Sequence, residues 1–230
     1  DREMKTSILT ILAYFIMCGV SYASDVYITQ SGASLTANIN QDGQTNKFGV
    51  SGTVVTLTGD SQVLDIDQIG NTNTIATSLI GAIQEFTLRQ AGNSNTSTVS
   101  VGSNSASGDN SIIQTLTGSS NTTTVNVGNS AATDDADIDL TATGSSNTIT
   151  INENSTASMV GSDKKVTSIT AIGSSNTITS THTGAADQDT TLHHTGASST
   201  FAITQGGAYD GTTSITTVGS GHNVTVTMDD

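Results

Sequence analysis

The sequence predicts an all-β fold: a β-solenoid of stacked strand–turn–strand repeats, cross-β-like in its pairing and about eight coils long. Three observations predict it. A Gly-x-x-Asn turn recurs along the chain, Ile, Val and Leu recur with period two between the turns, and the 230 residues contain no proline. Period two is the alternation of a strand with one face buried, and a proline-free chain leaves every backbone N–H free for a ladder. A Ser/Thr-rich disordered stalk would carry proline and lack regular apolar positions.

The first element is a segment to be removed. Met4 and Lys5 precede the apolar run Ile8 to Val20, and Ser21, Tyr22 and Ala23 form a small-residue pattern ahead of Ser24. Residues 1–23 therefore read as a start artefact plus a secretory signal peptide cleaved after Ala23. The run is too short to span a bilayer, so no membrane insertion is expected. Cys18, the only cysteine, lies within it, so the exported chain has no disulfide.

Residues 24–230 then form one repeat domain. The turns run Gly43 to Asn46, Gly70 to Asn73, Gly92 to Asn95, Gly118 to Asn121, Gly144 to Asn147 and Gly173 to Asn176, with degenerate copies at Gly196 to Ser199 and around Gly219 to Asn223. Glycine is expected to supply positive φ and Asn to bond back to the backbone. Each turn joins two strands of about six residues, as in Glu85 to Gln90 and Thr96 to Val101. The variable stretches Gly102 to Asn110, Gly128 to Ala136 and Asn154 to Lys164 return the chain at the opposite edge.

Alternation assigns the faces. Leu88, Gln90, Ser97, Val99, Leu140, Ala142, Ile149, Ile151, Leu192, Phe201 and Ile203 point inward. Asn73, Asn95, Asn121, Asn147 and Asn176 hold equivalent positions, where stacked amides can bond along the axis; turn preference alone would also put Asn there.

At the N-terminal repeats the pattern becomes more specific. Gln30-Ser-Gly32-Ala-Ser-Leu35-Thr-Ala37-Asn-Ile-Asn-Gln41 resembles the curlin repeat, with Leu35 where Asn is usual, and the runs starting at Gln41, Gln68 and Gln90 repeat its first half. The resemblance is strongest over residues 25–101. From the next copy on, Leu116, Ala142, Ala171, His194 and Thr217 replace the turn-flanking Gln. It implies a secreted, self-assembling subunit of a curli-type amyloid fibre serving adhesion and biofilm matrix. The implied partners are further copies, head to tail, and a nucleator or minor fibre subunit.

Charge bears on partners. Lys47, Arg89, Lys164 and Lys165 are the only basic residues after residue 23, and the net charge is −14. That disfavours nucleic acid and anionic membrane. Asp65, Asp67, Asp134, Asp135, Asp137 and Asp139 are expected to slow assembly as gatekeepers. The strands Val26 to Gln30 and Val224 to Met228 are expected to be uncovered edges.

A second function class rests on threonine. Thr96 and Thr98, Thr122 and Thr124, Thr148 and Thr150, Thr177 and Thr179, Thr200 and Thr204, and Thr225 and Thr227 are expected to face outward in two files. Such files resemble the flat face of ice-binding β-solenoids, although Thr is also simply a good solvent-facing strand residue. No catalytic, cofactor or metal site is predicted. His182, His193, His194 and His222 lack zinc spacing and read as surface or filler positions, and the triplet Asp135, Asp137, Asp139 reads as a solvated face rather than a calcium site.

Overall fold

The computed structural model of the protein describes residues 9–13, 24–50, 52–81, 83–102, 109–128, 136–154, 164–184, 187–207 and 211–229. Thr, Ser and β-branched residues in alternation favour extended chain, and the described residues form strands and no helix. The first sheet takes, in spatial order, β1 (Leu9–Ala13), β4 (Ser34–Asp42), β7 (Ser61–Ile69), β9 (Ile83–Ala91), β11 (Asn110–Thr117), β13 (Ala136–Thr143), β15 (Lys164–Ile172), β17 (Asp187–Ala197) and β19 (Gly211–Ser220). The second takes β2 (Ser24–Val26), β5 (Thr45–Phe48), β8 (Thr72–Ile80), β10 (Ser94–Val101), β12 (Ser120–Val127), β14 (Ser146–Asn154), β16 (Ser175–Thr183), β18 (Thr200–Gly206) and β20 (Asn223–Asp229). Two short strands, β3 (Thr29–Ser31) and β6 (Val55–Thr58), complete it by pairing with each other and, through β6, with β8.

Strand neighbours are parallel and in register, so residues at matching positions stack in columns along the axis. From β4 to β20 the chain makes strand–turn–strand layers joined by return segments, a solenoid of about seven turns. This is the predicted fold. The strands are longer than expected, mostly eight or nine residues. Each begins before the repeat's Asn, so Asn95 and Asn121 lie inside a strand, pointing inward, rather than in the turn.

The N-terminal layers depart from regularity. β5 and β6 pair with the two halves of β8, and Val50 and Thr53 between them form an isolated bridge. β2 and β3 split in the same way, so the single strand expected over Val26 to Gln30 is two. Leu9–Ala13, inside the apolar run read as a signal, pairs in parallel with β4 from Leu9↔Leu35 to Ala13↔Ile39. This segment covers the N-terminal edge of the first sheet, whereas Val26 to Gln30, expected to be an uncovered edge, forms β2 and β3, which end the second sheet among the described residues. Residues 103–108, 129–135 and 155–163, which hold most of the predicted variable returns together with Asp134 and Asp135, lie outside the described residues.

The core lies between the sheets. Leu64, Phe86, Ile112 and Ile138 form one buried column of the first sheet, and Leu57, Leu79, Val101 and Val127 form a buried column of the second. Burying one such side chain is worth about 1.5 to 3 kcal/mol, so a chain poor in aromatics builds its core by repetition. Every residue assigned inward by alternation is buried, including Ser97 at 1% exposure, which shows the alternation and not hydrophobicity sets the face.

Candidate functional site: stacked ladders and an open end

Two ladders of side-chain amides run through the core at the turn edge. In the first, Asn46 Nδ2 donates to Asn73 Oδ1 (3.1 Å), Asn73 to Asn95 (2.9 Å), and Asn95, Asn121 and Asn147 each to the next Asn at 2.7 Å, ending on Asn176. Each amide before Asn176 also donates to a backbone carbonyl of the following layer, such as Asn95 Nδ2 to Thr117 O at 3.0 Å. A buried amide left unpaired costs about 1 to 3 kcal/mol, so the ladder turns a liability into a register lock. The axial stacking reading therefore holds for these Asn residues.

The second ladder uses the turn-flanking glutamines and runs the other way. Gln68 Nε2 donates to Gln41 Oε1 at 2.6 Å, and Gln90 Nε2 to Gln68 Oε1 at 2.8 Å. It stops there because the next position is Leu116, which leaves Gln90 Oε1 buried and without a partner. Gln30, grouped with these by the repeat motif, belongs elsewhere: it stacks on Leu57 at the opposite edge, and its amide meets Gln62 Oε1 at 3.1 Å. A one-dimensional motif cannot tell the two edges of a layer apart, since glycine turns occur at both.

The expected positive φ is found at the later turn glycines Gly173, Gly196 and Gly219, but the earlier ones have a different cause. Gly70, Gly92, Gly118 and Gly144 do not have positive φ. A Cβ on Gly70 would lie 1.9 Å from Gly43 O, and one on Gly118 would lie 1.9 Å from Gly92 O, far inside contact distance. Stacked backbone, rather than turn dihedral, excludes a side chain there.

The outer face of the second sheet carries the threonines in register. Thr96, Thr122, Thr148 and Thr177 form one file, and Thr98, Thr124, Thr150 and Thr179 the second. Thr200 extends the first, but Ala202 interrupts the second, and Thr204 falls in a third column with Thr181 and Thr227. The paired files are thus four layers long. On the other sheet the outer face is charged and irregular, with exposed Asp65, Asp137, Asp139 and Ile113, and Arg89 bridging Asp67 at 2.8 Å. Asp135 is outside the described residues, so the acidic triplet is seen only as Asp137 and Asp139.

In the last described layer the inward positions are less covered than those before it. Val224, Val226 and Met228 are 45%, 42% and 54% exposed, although the equivalent residues one layer earlier, Phe201 and Ile203, are fully buried.

The histidines are not surface fillers, His193 excepted. His194 occupies the glutamine column and its Nε2 meets Asn176 Nδ2 at 2.6 Å and Ser199 Oγ at 2.9 Å, so it terminates the Asn ladder. Burial holds its pKa below the ordinary value, nearby His222 adds to that, and the Gly173 carbonyl opposes it. His222, and not Asn223 as the degenerate repeat suggested, stacks over Ser199 in the ladder column. His182 pairs with Glu153 inside the core, its Nδ1 lying 2.6 Å from Oε2. Neighbouring Lys165 is 1% exposed with Nζ unpartnered, and burial lowers its pKa against the attraction of Glu153. The sequence did carry a signal for this cluster: charged residues at inward parity in β14, β15 and β16. Compared with family models, curated proteins and solved structures, the chain matches none.

Proposed function

We propose that the chain is a secreted structural subunit that self-assembles head to tail into a curli-like extracellular fibre for adhesion and biofilm matrix, with no catalytic turnover. The observation that carries this reading is the last described layer, where β19 and β20 end their sheets and the inward Val224, Val226 and Met228 are about half exposed. Such an edge is a template for another strand. The reading includes removal of residues 1–23 on export, which would also strip Leu9–Ala13 from β4 and open the other end. Surface carboxylates such as Asp65, Asp137 and Asp139 would slow the process.

The test is a time course on residues 24–230, desalted from denaturant and followed by amyloid-dye fluorescence and electron microscopy. Fibres that appear after a lag and are seeded by fragments are expected. A chain that remains monomeric with cooperative β-structure would sink the reading.

One observation favours a second reading, an ice-binding face. The files from Thr96 and Thr98 to Thr177 and Thr179 are in register on one sheet, with spacings of about 7 Å along the strand and 4.7 Å between layers. Thermal hysteresis lost on Thr124→Tyr would support it, and its absence in the parent chain would remove it.

A further inference from the structure

Two facing core columns change character in the same layers. On the second sheet Leu57, Leu79, Val101 and Val127 give way to Glu153, His182 and Gln205, while on the first Ala37, Leu64, Phe86, Ile112 and Ile138 give way to Thr167, Thr190 and Thr213. Glu153, His182, Thr167 and Thr190 are all at most 1% exposed, and Gln205 is 4% exposed. So many polar groups placed together in a dry core must bond to one another, and they do so in a directed chain.

Glu153 Oε1 accepts from Thr167 Oγ1 at 2.8 Å, and Oε2 lies 2.6 Å from His182 Nδ1. A carboxylate only accepts, so Nδ1 carries a proton, and in the neutral ring Nε2 then offers its lone pair. Ser180 Oγ (2.7 Å) and Thr190 Oγ1 (3.0 Å) both meet that nitrogen. Thr190 is the one that also meets a carboxamide: Gln205 Nε2 lies 3.2 Å from its oxygen. That carboxamide is held at both ends, Nε2 donating to Gln188 O at 2.9 Å and Oε1 accepting from Thr213 Oγ1 at 2.7 Å.

We infer that this cluster builds a covalent cross-link, an ester between Thr190 Oγ1 and Gln205 Cδ, by a single self-catalysed reaction after folding. The parts needed for acyl transfer are in place: hydroxyl, base, orienting carboxylate, and a donor on the carbonyl oxygen. Thr190 Oγ1 attacks Cδ as its proton passes to His182 Nε2, and negative charge collects on Oε1 against the Thr213 hydroxyl. Collapse breaks the Cδ–Nε2 bond. The departing nitrogen takes the proton back from His182 and leaves as ammonia, so one C–O bond forms, one C–N bond breaks, and nothing is oxidised or reduced. Protonation of ammonia in bulk water draws the exchange forward, and exclusion of water from the core protects the ester. Glu153 is a positioning residue, fixing the tautomer of His182. The bond ties β17 to β18 across the core, just beyond the end of the Asn ladder.

The experiment is an intact mass on the purified, folded chain. A value one ammonia below the sequence mass, about 17 Da, is expected. Cleavage after Phe201 should leave the peptides holding Thr190 and Gln205 joined, and hydroxylamine should separate them. Thr190→Val, nearly isosteric, should restore full mass, whereas Thr190→Ser should keep the loss. His182→Gln should abolish it with the β-sheet circular dichroism unchanged. Glu153→Gln should slow its appearance on refolding and shift the pH profile of that rate. Lys165 Nζ and Gln188 Oε1, stacked neighbours that are both unpartnered, could release ammonia through an amide instead. A loss that resists hydroxylamine and maps to Lys165 and Gln188, a loss that persists in Thr190→Val, or full sequence mass in aged folded protein would each overturn the proposal.

Discussion

The N-terminal and C-terminal halves of the solenoid share a backbone and differ in what fills it. In the first half the turn edge is lined by two amide ladders and the middle columns are apolar, as at Leu64, Phe86 and Ile112 facing Leu79 and Val101. In the second half the glutamine ladder is replaced by Leu116, Ala142 and Ala171, while the middle turns polar at Thr167, Glu153 and His182. A parallel in-register stack is indifferent to which chemistry fills a column, provided that neighbours within the column agree. Where they disagree the cost is visible as orphaned atoms: Gln90 Oε1 under Leu116, Gln84 Oε1 beside the shorter Asn110, and Lys165 Nζ between Ala136 and Gln188.

What both halves share should be the hardest to change. Gly118→Ala sets a methyl 1.9 Å from Gly92 O and should cost about 3 kcal/mol or more, read as a fall in the urea midpoint by circular dichroism. Asn121→Leu removes the acceptor for Asn95 and the donor to Asn147 and Thr143 O, and should cost about 2 to 3 kcal/mol by the same measurement. A smaller loss for Asn121→Leu than for Leu140→Ala would show that apolar columns, and not the ladder, hold the layers together.

What differs between the halves should respond differently. Lys165→Met replaces an unpartnered buried ammonium with an apolar chain of similar length and should raise stability by about 2 kcal/mol. His194 makes the C-terminal layers sensitive to acid. Its folded pKa lies below the ordinary 6.5, so as pH falls the unfolded chain binds a proton first. The stability it contributes is therefore whole above 6.5 and is lost as pH falls from there toward the lowered folded value. Hydrogen exchange of β17 and β18 should accelerate over that window while β8 and β10 stay protected, and His194→Gln should flatten the difference. Least of all, Leu116→Gln gives Gln90 Oε1 its missing donor and moves the orphan one layer on, so a change within about 1 kcal/mol is expected.

These contrasts also separate what is legible in one dimension from what is not. Period-two alternation assigned inward and outward residues correctly from Leu88 to Ile203, because a strand has only two faces. The Asn ladder was legible because one turn motif recurs at a nearly constant offset. Gln30 was misplaced because Gly32 and Gly43 head turns at opposite edges of one layer, and nothing local distinguishes them. The glycines from Gly70 to Gly144 were identified for the wrong reason, since the atom that excludes a Cβ at Gly118 belongs to Gly92, a full turn away.

The sequence by itself determined the repeat, the alternation and hence the all-β solenoid, along with the paired Thr files and the amide column of the turn edge. These are properties of single strands and of a motif repeated at similar spacing. Only the tertiary structure decided that Glu153, His182, Thr190 and Gln205 meet, that His194 ends the ladder, and that the last layer leaves Val226 and Met228 half-covered. The reason is register. Return segments of unequal length join the layers, so which residues share a column depends on how each strand settles against the one before it, and that is chosen by burial and hydrogen bonding across the whole stack.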